Sequence, residues 1–480
     1  MVNTRFSSKY SNVAIMGLQK NSVMWYCHFE GLRTIREGHR KETDDARECC
    51  KVKYALKNAV ILDGTKDMQP VRGSAVLVDR ERITDIVPDT KIPRGYKIVD
   101  LGGAYLLPGL INLHVHLATS GKPPKAEKKP PNYKLLFSIL SRSKLVLEVV
   151  RRLSAGYAKT ALMSGVTTIR TVAGILDIDG QIRDQINAGK RIGPRILSAN
   201  TAVSVPNGHF AGSIATEADS PEMAAEHVRQ IAKTKPDLIK LMITGGVMDS
   251  SAEGEPGVLR MPAEIVKAAC DEAHRLGYMV AAHVESSEGV RVALENGVDT
   301  VEHGAKLTDE TIRLFKERGA ALISTISPAL PYAEFEISES HALPIAKKNG
   351  RIVMDGMIDC AKTCLEHGIP VGLGNDVGCP FVLHYNFWRE LCCYHKYVGA
   401  SNRDTLYAAT LGNAKIVGID AETGSIEAGK SADMIVVQND PLDNLSALRD
   451  VSMVIMKGKQ IRNPKVKRRD DVDALYDRYL

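Results

Sequence analysis

Leu106-Leu107-Pro108-Gly109-Leu110-Ile111-Asn112-Leu113-His114-Val115-His116-Leu117 is an apolar run that closes on two histidines one residue apart. Successive side chains on a strand point to opposite faces, so His114 and His116 aim the same way and can bind one cation. Taken alone, a His-x-His pair is as readily an accident as a metal site, and its weight depends on the rest of the chain. Seven further apolar runs lie at 166–172, 195–200, 238–244, 279–284, 300–304, 321–326 and 370–376. Amphipathic helical patterns such as 262–276 and 308–318 separate them. This alternation predicts a parallel α/β sheet. Eight strands with intervening helices fit a closed (β/α)8 TIM-type barrel, assigned to residues 108–423, better than an open sheet.

Outside the barrel the pattern changes. Residues 54–62, 74–79, 83–87 and 97–101 carry short β signals, broken by turns such as Asp63-Gly64 and Leu101-Gly102-Gly103. The same character returns at 424–437 and 451–461. These segments are expected to form one small β-sandwich domain from both chain ends, residues 52–107 and 424–462. Residues 463–480 are expected to be a C-terminal helical tail. Residues 1–51 lack clear periodicity and are expected to be an N-terminal extension, disordered or loosely packed, with Met16 and Met24 as alternative starts.

The 480 residues are 44% hydrophobic and 25% charged with a net charge of +6, ordinary values for a soluble globular protein. The one dense basic cluster, Lys465-Val466-Lys467-Arg468-Arg469, runs at once into Asp470 and Asp471, as a solvated face does, so no nucleic-acid partner is expected. No apolar run approaches the roughly 20 residues of a membrane span. Nine cysteines, including the adjacent pairs Cys49-Cys50 and Cys392-Cys393, lack zinc-ribbon spacing. With no secretory leader they read as reduced thiols of a cytoplasmic protein.

The chemistry-bearing residues lie on the apolar runs. Lys240 interrupts Leu238-Ile239-Lys240-Leu241-Met242-Ile243, where a bare ammonium costs a large desolvation energy unless paired or neutralised. Either a carboxylate pairs with it, or reaction with CO2 turns it into an anionic carbamate whose two oxygens can bridge two cations. His283 ends Met279-Val280-Ala281-Ala282-His283, His303 lies in Thr300-Val301-Glu302-His303-Gly304, and Asp376 ends Val371-Gly372-Leu373-Gly374-Asn375-Asp376. Barrel active sites lie at the C-terminal ends of the strands. The candidate ligands fall there on strands 1, 4, 5, 6 and 8, which chance explains poorly.

The order His-x-His, Lys, His, His, Asp resembles the amidohydrolase superfamily in its binuclear, carbamylated-lysine form, over roughly residues 52–462. Gly424-Ser425-Ile426-Glu427-Ala428-Gly429-Lys430-Ser431-Ala432-Asp433 is similar to the family's closing signature. Gly165 to Arg170, Gly208-His209, Ile239 to Met248, Glu302-His303-Gly304 and Thr410 to Ala414 resemble the prolidase-like, Xaa-Lys/Arg carboxypeptidase-like and ochratoxin-amidase group. Three positions depart from that group's pattern: Thr171, Phe210 and Asn375.

The resemblance implies two divalent cations, zinc first with manganese or cobalt as substitutes, bridged by a carbamate on Lys240. His114 and His116 would hold one cation with Asp376, and His283 and His303 the other. A bridging hydroxide would attack the amide of a dipeptide or N-acyl amino acid, with Asp376 moving the proton. His209 and Arg170 are the candidate substrate-binding residues, Arg170 being equally suited to a buried ion pair. Assembly into a homo-oligomer is expected by the same analogy.

Two rivals stand beside this reading. One is a cyclic-amide hydrolase or a mononuclear heterocycle deaminase, for which Glu285 could shuttle protons but Lys240 has no use. The other is a non-catalytic interaction protein, against which the six retained ligands argue.

Overall fold

The computed structural model of the chain describes residues 53–124, 141–250 and 252–480. The expected N-terminal extension, 1–51, lies outside the described residues. Eight parallel strands form the barrel: β1 Leu110–Val115, β2 Val166–Thr171, β3 Arg195–Ser198, β4 Leu238–Met242, β5 Met279–Val284, β6 Thr300–His303, β7 Ala321–Ser324 and β8 Val371–Leu373. Their side chains are almost wholly buried, as expected for strands covered on both faces. Strands β4 to β8 pair in sequence, and β1 to β3 do likewise. The amide of Asp237 donates to Ser198 O at 2.7 Å, joining β3 to β4. The amide of His116 donates to Val377 O at 2.9 Å, joining β8 to β1.

Helices α1 Lys144–Met163, α2 Ile178–Asn187, α3 Pro221–Ala232, α4 Ala263–Arg275, α5 Ser287–Glu295, α6 Asp309–Arg318 and α7 Pro344–Glu366 alternate with the strands. Local signals set their limits. Ser220 accepts from the Met223 amide just before Pro221 opens α3, and Gly319, at φ 65°, closes α6.

The apolar run 106–117 is not one strand. Tyr105–Pro108 pairs antiparallel with Met434–Val437 in a five-stranded sheet, while β1 belongs to the barrel. The break falls at Gly109, where a Cβ would stand 2.1 Å from Thr167 Oγ1, so only glycine lets the chain cross between sheets. The five-stranded sheet packs on a four-stranded one, built from Tyr54–Lys57, Ser74–Asp79, Arg82–Pro88 and Lys97–Asp100. Leu56, Val76, Leu106, Met434 and Ile455 lie in the core between them, so both chain ends build this β-sandwich. Asp433 ties it to the barrel, accepting from Arg195 on β3 at 2.8 Å.

The C-terminal helix Asp470–Asp477 docks on the loops after β7 and β8. Arg389, 1% exposed, pairs with Asp473 at 3.0 Å and with Asp477, and Tyr476 donates to Ser327 O at 3.1 Å. Arg389→Ala removes the main partner of a buried carboxylate and is expected to cost on the order of 3 kcal/mol of stability in denaturant unfolding. A loss below about 1 kcal/mol would assign the clamp to Tyr476 and its ring contacts instead. The six described cysteines are free, and no described helix is long and apolar enough to cross a membrane.

Candidate metal centre

His114 and His116 leave β1 on its inward face, as the period of two requires. His114 Nδ1 bonds Glu302 Oε2 at 2.7 Å, and His116 Nδ1 bonds Ala173 O at 3.0 Å. A carbonyl accepts only, so His116 carries its proton on Nδ1 and keeps a lone pair on Nε2. The Glu302 carboxylate selects the same tautomer in His114. Both Nε2 atoms then face Asp376 Oδ1, at 3.4 and 3.1 Å, yet that oxygen is buried and makes no hydrogen bond. Lone pairs from two imidazoles and a carboxylate point at one another. That arrangement repels unless a cation stands among them.

Two donor groups share His303. Ligand atoms of His114, His303 and Asp376 lie within 4.8 Å of one another, and so do those of His283, Glu285 and His303. Burial pushes His114 down to about 4, and holds His283 and His303 well below the usual imidazole range. Neutral imidazoles are the form that binds metal. The strand period alone would turn His303 away from the face carrying Glu302. A φ of 70° at His303 turns the chain, with Gly304 following at 85°, and Asp376 is likewise left-handed at 47°. Such backbone is costly for residues other than glycine and occurs mainly at functional sites.

Lys240 is 1% exposed and makes no hydrogen bond or ion pair with any described residue. No described carboxylate stands within ion-pair distance of it, although Glu302 and Asp376 act on it through space. Burial brings its amine down to about 8, with Glu302 opposing that shift and Arg170 adding to it.

His209 reaches the site from the loop after β3. Its ring stacks on His283 at 4.3 Å, and its Nδ1 is tied to Asp249 Oδ2. Gly246 permits that approach, since a Cβ there would stand 3.1 Å from His209 Cε1. Phe210 packs edge-on against the same ring, which gives that departure from the group pattern a role. Asn375 instead accepts from Asn112 at 2.7 Å, bracing β8 against β1.

Arg170 takes the second of the two roles its sequence position leaves open. It is 2% exposed and its donors are committed to Leu113 O at 2.7 Å, Thr300 Oγ1 at 3.1 Å and Glu302 Oε1 at 2.7 Å. The expected substrate-binding role gives way to the buried ion pair. Burial works to raise Glu302, but Arg170 and the His114 hydrogen bond outweigh it and hold the carboxyl well below its usual range.

Four residues at the site lie outside the expected ligand and substrate-binding set, although Glu285 is the proton shuttle of the rival deaminase reading. Glu302 orients His114; it is a charged residue in an apolar strand, the same anomaly that singles out Lys240. Glu285 stands with His283 and His303, its Oε2 buried without a partner, and burial with the charges of Asp376 and Asp249 pushes it up to about 8. Arg260 lies beside Gly245 and Asp249 with its Nε buried and unpartnered, and its side chain makes no hydrogen bond or ion pair with a described residue. Cys379 donates to Asp376 Oδ2 at 3.1 Å, orienting the carboxylate.

Known proteins share this architecture. Ochratoxinase of Aspergillus niger is 25% identical over 83% of this chain and 85% of its own. The crystal structure of a proposed prolidase from Bifidobacterium longum superposes with a TM-score of 0.78 at 37% identity, covering 89% of this chain and 99% of that one. A Xaa-Pro dipeptidase with bound methionine in its active site gives a TM-score of 0.73 at 27% identity, over 85% and 100%. The profile of the amidohydrolase family matches residues 105–461, which takes in the barrel strands and every candidate ligand. With its donor groups at the C-terminal mouth of the barrel, the chain belongs to the amidohydrolase family and is a hydrolase acting on carbon–nitrogen bonds.

Proposed function

We propose that the protein hydrolyses the amide bond of a dipeptide or N-acyl amino acid, using two divalent cations and a carbamate on Lys240. The observation that carries this is Lys240: a buried amine with no ion-pair partner among the described residues, whose charge bears on His114, His283 and His303. An anionic carbamate there would supply the missing charge between the two donor groups. His114, His116 and Asp376 would hold one cation, and His283 and His303 the other; zinc suits this set, with manganese or cobalt as substitutes. Bound cations would supply an activated water and a polarised carbonyl.

The remaining work falls to the chain. Asp376 Oδ1 receives the proton of the attacking water and returns it to the leaving amine, while the Cys379 thiol holds Oδ2. His209, fixed through Nδ1 by Asp249, keeps Nε2 for the substrate oxygen. With Arg170 committed elsewhere, the substrate carboxylate falls to Arg260. Arg260→Met is expected to raise KM by about 10- to 100-fold with little change in kcat, as loss of a charged binding contact does. An unchanged KM would remove Arg260 from the pocket.

The test is protein loaded with zinc or manganese in bicarbonate, assayed on N-acyl amino acids and on Xaa-Pro, Xaa-Lys and Xaa-Arg dipeptides. Metal-dependent cleavage is expected, and its absence across the panel rejects the reading. The rival deaminase draws on Glu285 beside His283 and His303. One tightly held ion per chain with an unmodified Lys240 would favour it.

A further inference from the structure

We infer that the site is built for an unblocked dipeptide, with Glu285 receiving the α-ammonium of the residue whose carbonyl is attacked. This rests on the amide-hydrolase reading above and narrows its two substrate classes to one. Glu285 follows β5 and brings a carboxylate oxygen within 4.8 Å of ligand nitrogens of both His283 and His303. Its Oε2 is buried with no hydrogen-bond partner. Among the described residues no cation stands within ion-pair distance of it.

The carboxylate is held in that place. The Glu285 amide donates to Thr244 Oγ1 at 3.0 Å. The Gly257 turn lies so close above that a Cβ on it would meet Glu285 O at 2.2 Å. A buried carboxylate without a counter-ion is costly unless a ligand supplies one. In a dipeptide the α-ammonium sits on the carbon next to the scissile carbonyl. Whatever binds it must stand beside the groups that handle that carbonyl, and Glu285 stands there. An N-acyl amino acid lacks this cation and would leave Glu285 uncompensated, and sites with buried polar groups reject such analogues strongly. With Arg260 opposite in charge on the neighbouring loop, the pocket complements a zwitterion.

The experiment compares alanyl-Xaa with propionyl-Xaa, which lacks only the amine, for Xaa leucine and lysine. Wild type is expected to favour the alanyl substrate by about 100-fold in kcat/KM with either Xaa. In Glu285→Gln the ratio should collapse by at least about tenfold, with two metal equivalents retained. Calorimetry with the uncleavable ketomethylene analogues of each pair reads the same preference in binding, whether or not the amides are cut.

Wild type indifferent to the amine in both readouts overturns the assignment. Loss of one metal equivalent in Glu285→Gln also overturns it, because the residue is then a ligand. Turnover or binding that survives in propionyl-lysine but not in propionyl-leucine overturns it too, since the cation recognised is then the side chain. Tight, Glu285-dependent binding of the amine-bearing analogue with no cleavage upholds it and rejects the hydrolase reading instead.

Discussion

Lys240→Ala is expected to lower kcat by about 1,000-fold or more and to reduce the bound metal below two equivalents per chain. The residue lies on β4 in a fully buried strand, and its charge bears on His114, His283 and His303 alike. An ammonium in that position repels cations, whereas a carbamate attracts them. The two states therefore predict opposite effects of the side chain on metal binding. Lys240→Arg separates them: it keeps the positive charge but forms no carbamate. If Lys240 served only as a charge partner for Glu302, the arginine variant would retain activity. If the carbamate is the working group, both variants fail, and intact-mass measurement of the wild type in bicarbonate shows one added carboxyl group. Unchanged activity in Lys240→Ala would sink the bridged-site reading.

Glu302→Gln should cost stability and metal affinity together. Glu302 accepts from Arg170, Thr300 and His114, each at 2.7 Å, and none of the four side chains reaches solvent. Glutamine has one acceptor oxygen and no charge, so Arg170 is left as an uncompensated buried cation, at about 3–5 kcal/mol. His114 meanwhile loses the carboxylate that fixes its tautomer, which lowers metal affinity by roughly 10- to 100-fold.

The double variant Glu302→Gln/Arg170→Met is the control, recovering much of the stability but none of the metal affinity. Equal recovery of both would show that Glu302 acts on the fold alone. The pH dependence has a definite sign. The folded carboxyl is held below its unfolded value of about 4.3. Its stabilisation is therefore complete above that value and fades as pH falls towards the folded one. The stability gap between wild type and Glu302→Gln should be full at neutral pH and shrink only in acid.

Lys240 and Glu302 mark the limit of what a sequence makes legible. Both are charges set in apolar strands, and that local anomaly is visible in the sequence at either position. For Lys240 the anomaly is enough to suggest a carbamate. For Glu302 the partner is Arg170, 132 residues away, and nothing local joins them. The same distance hides the role of Arg170, whose type suits a substrate carboxylate as well as a buried ion pair. The run 106–117 misleads for a different reason: its hydrophobicity is continuous, but Gly109 passes it from one sheet to another because Thr167 of the next strand leaves room for no side chain.

By itself the sequence determined the barrel, pointed to β strands from both chain ends, and singled out the histidine, lysine and aspartate residues as candidate donors. Each of these follows from short-range rules: a strand period of two, strands alternating with helices, and charge set against an apolar background. Only the tertiary structure decided that the free nitrogens of His114 and His116 face Asp376, that left-handed backbone turns His303 into the same space, and that Glu285 and Arg260 stand there with no ion-pair partner among the described residues. Those facts depend on which side chains meet across the barrel mouth. Strands far apart in the chain come together there, and a buried charge can be identified as spare only when every possible partner is in place.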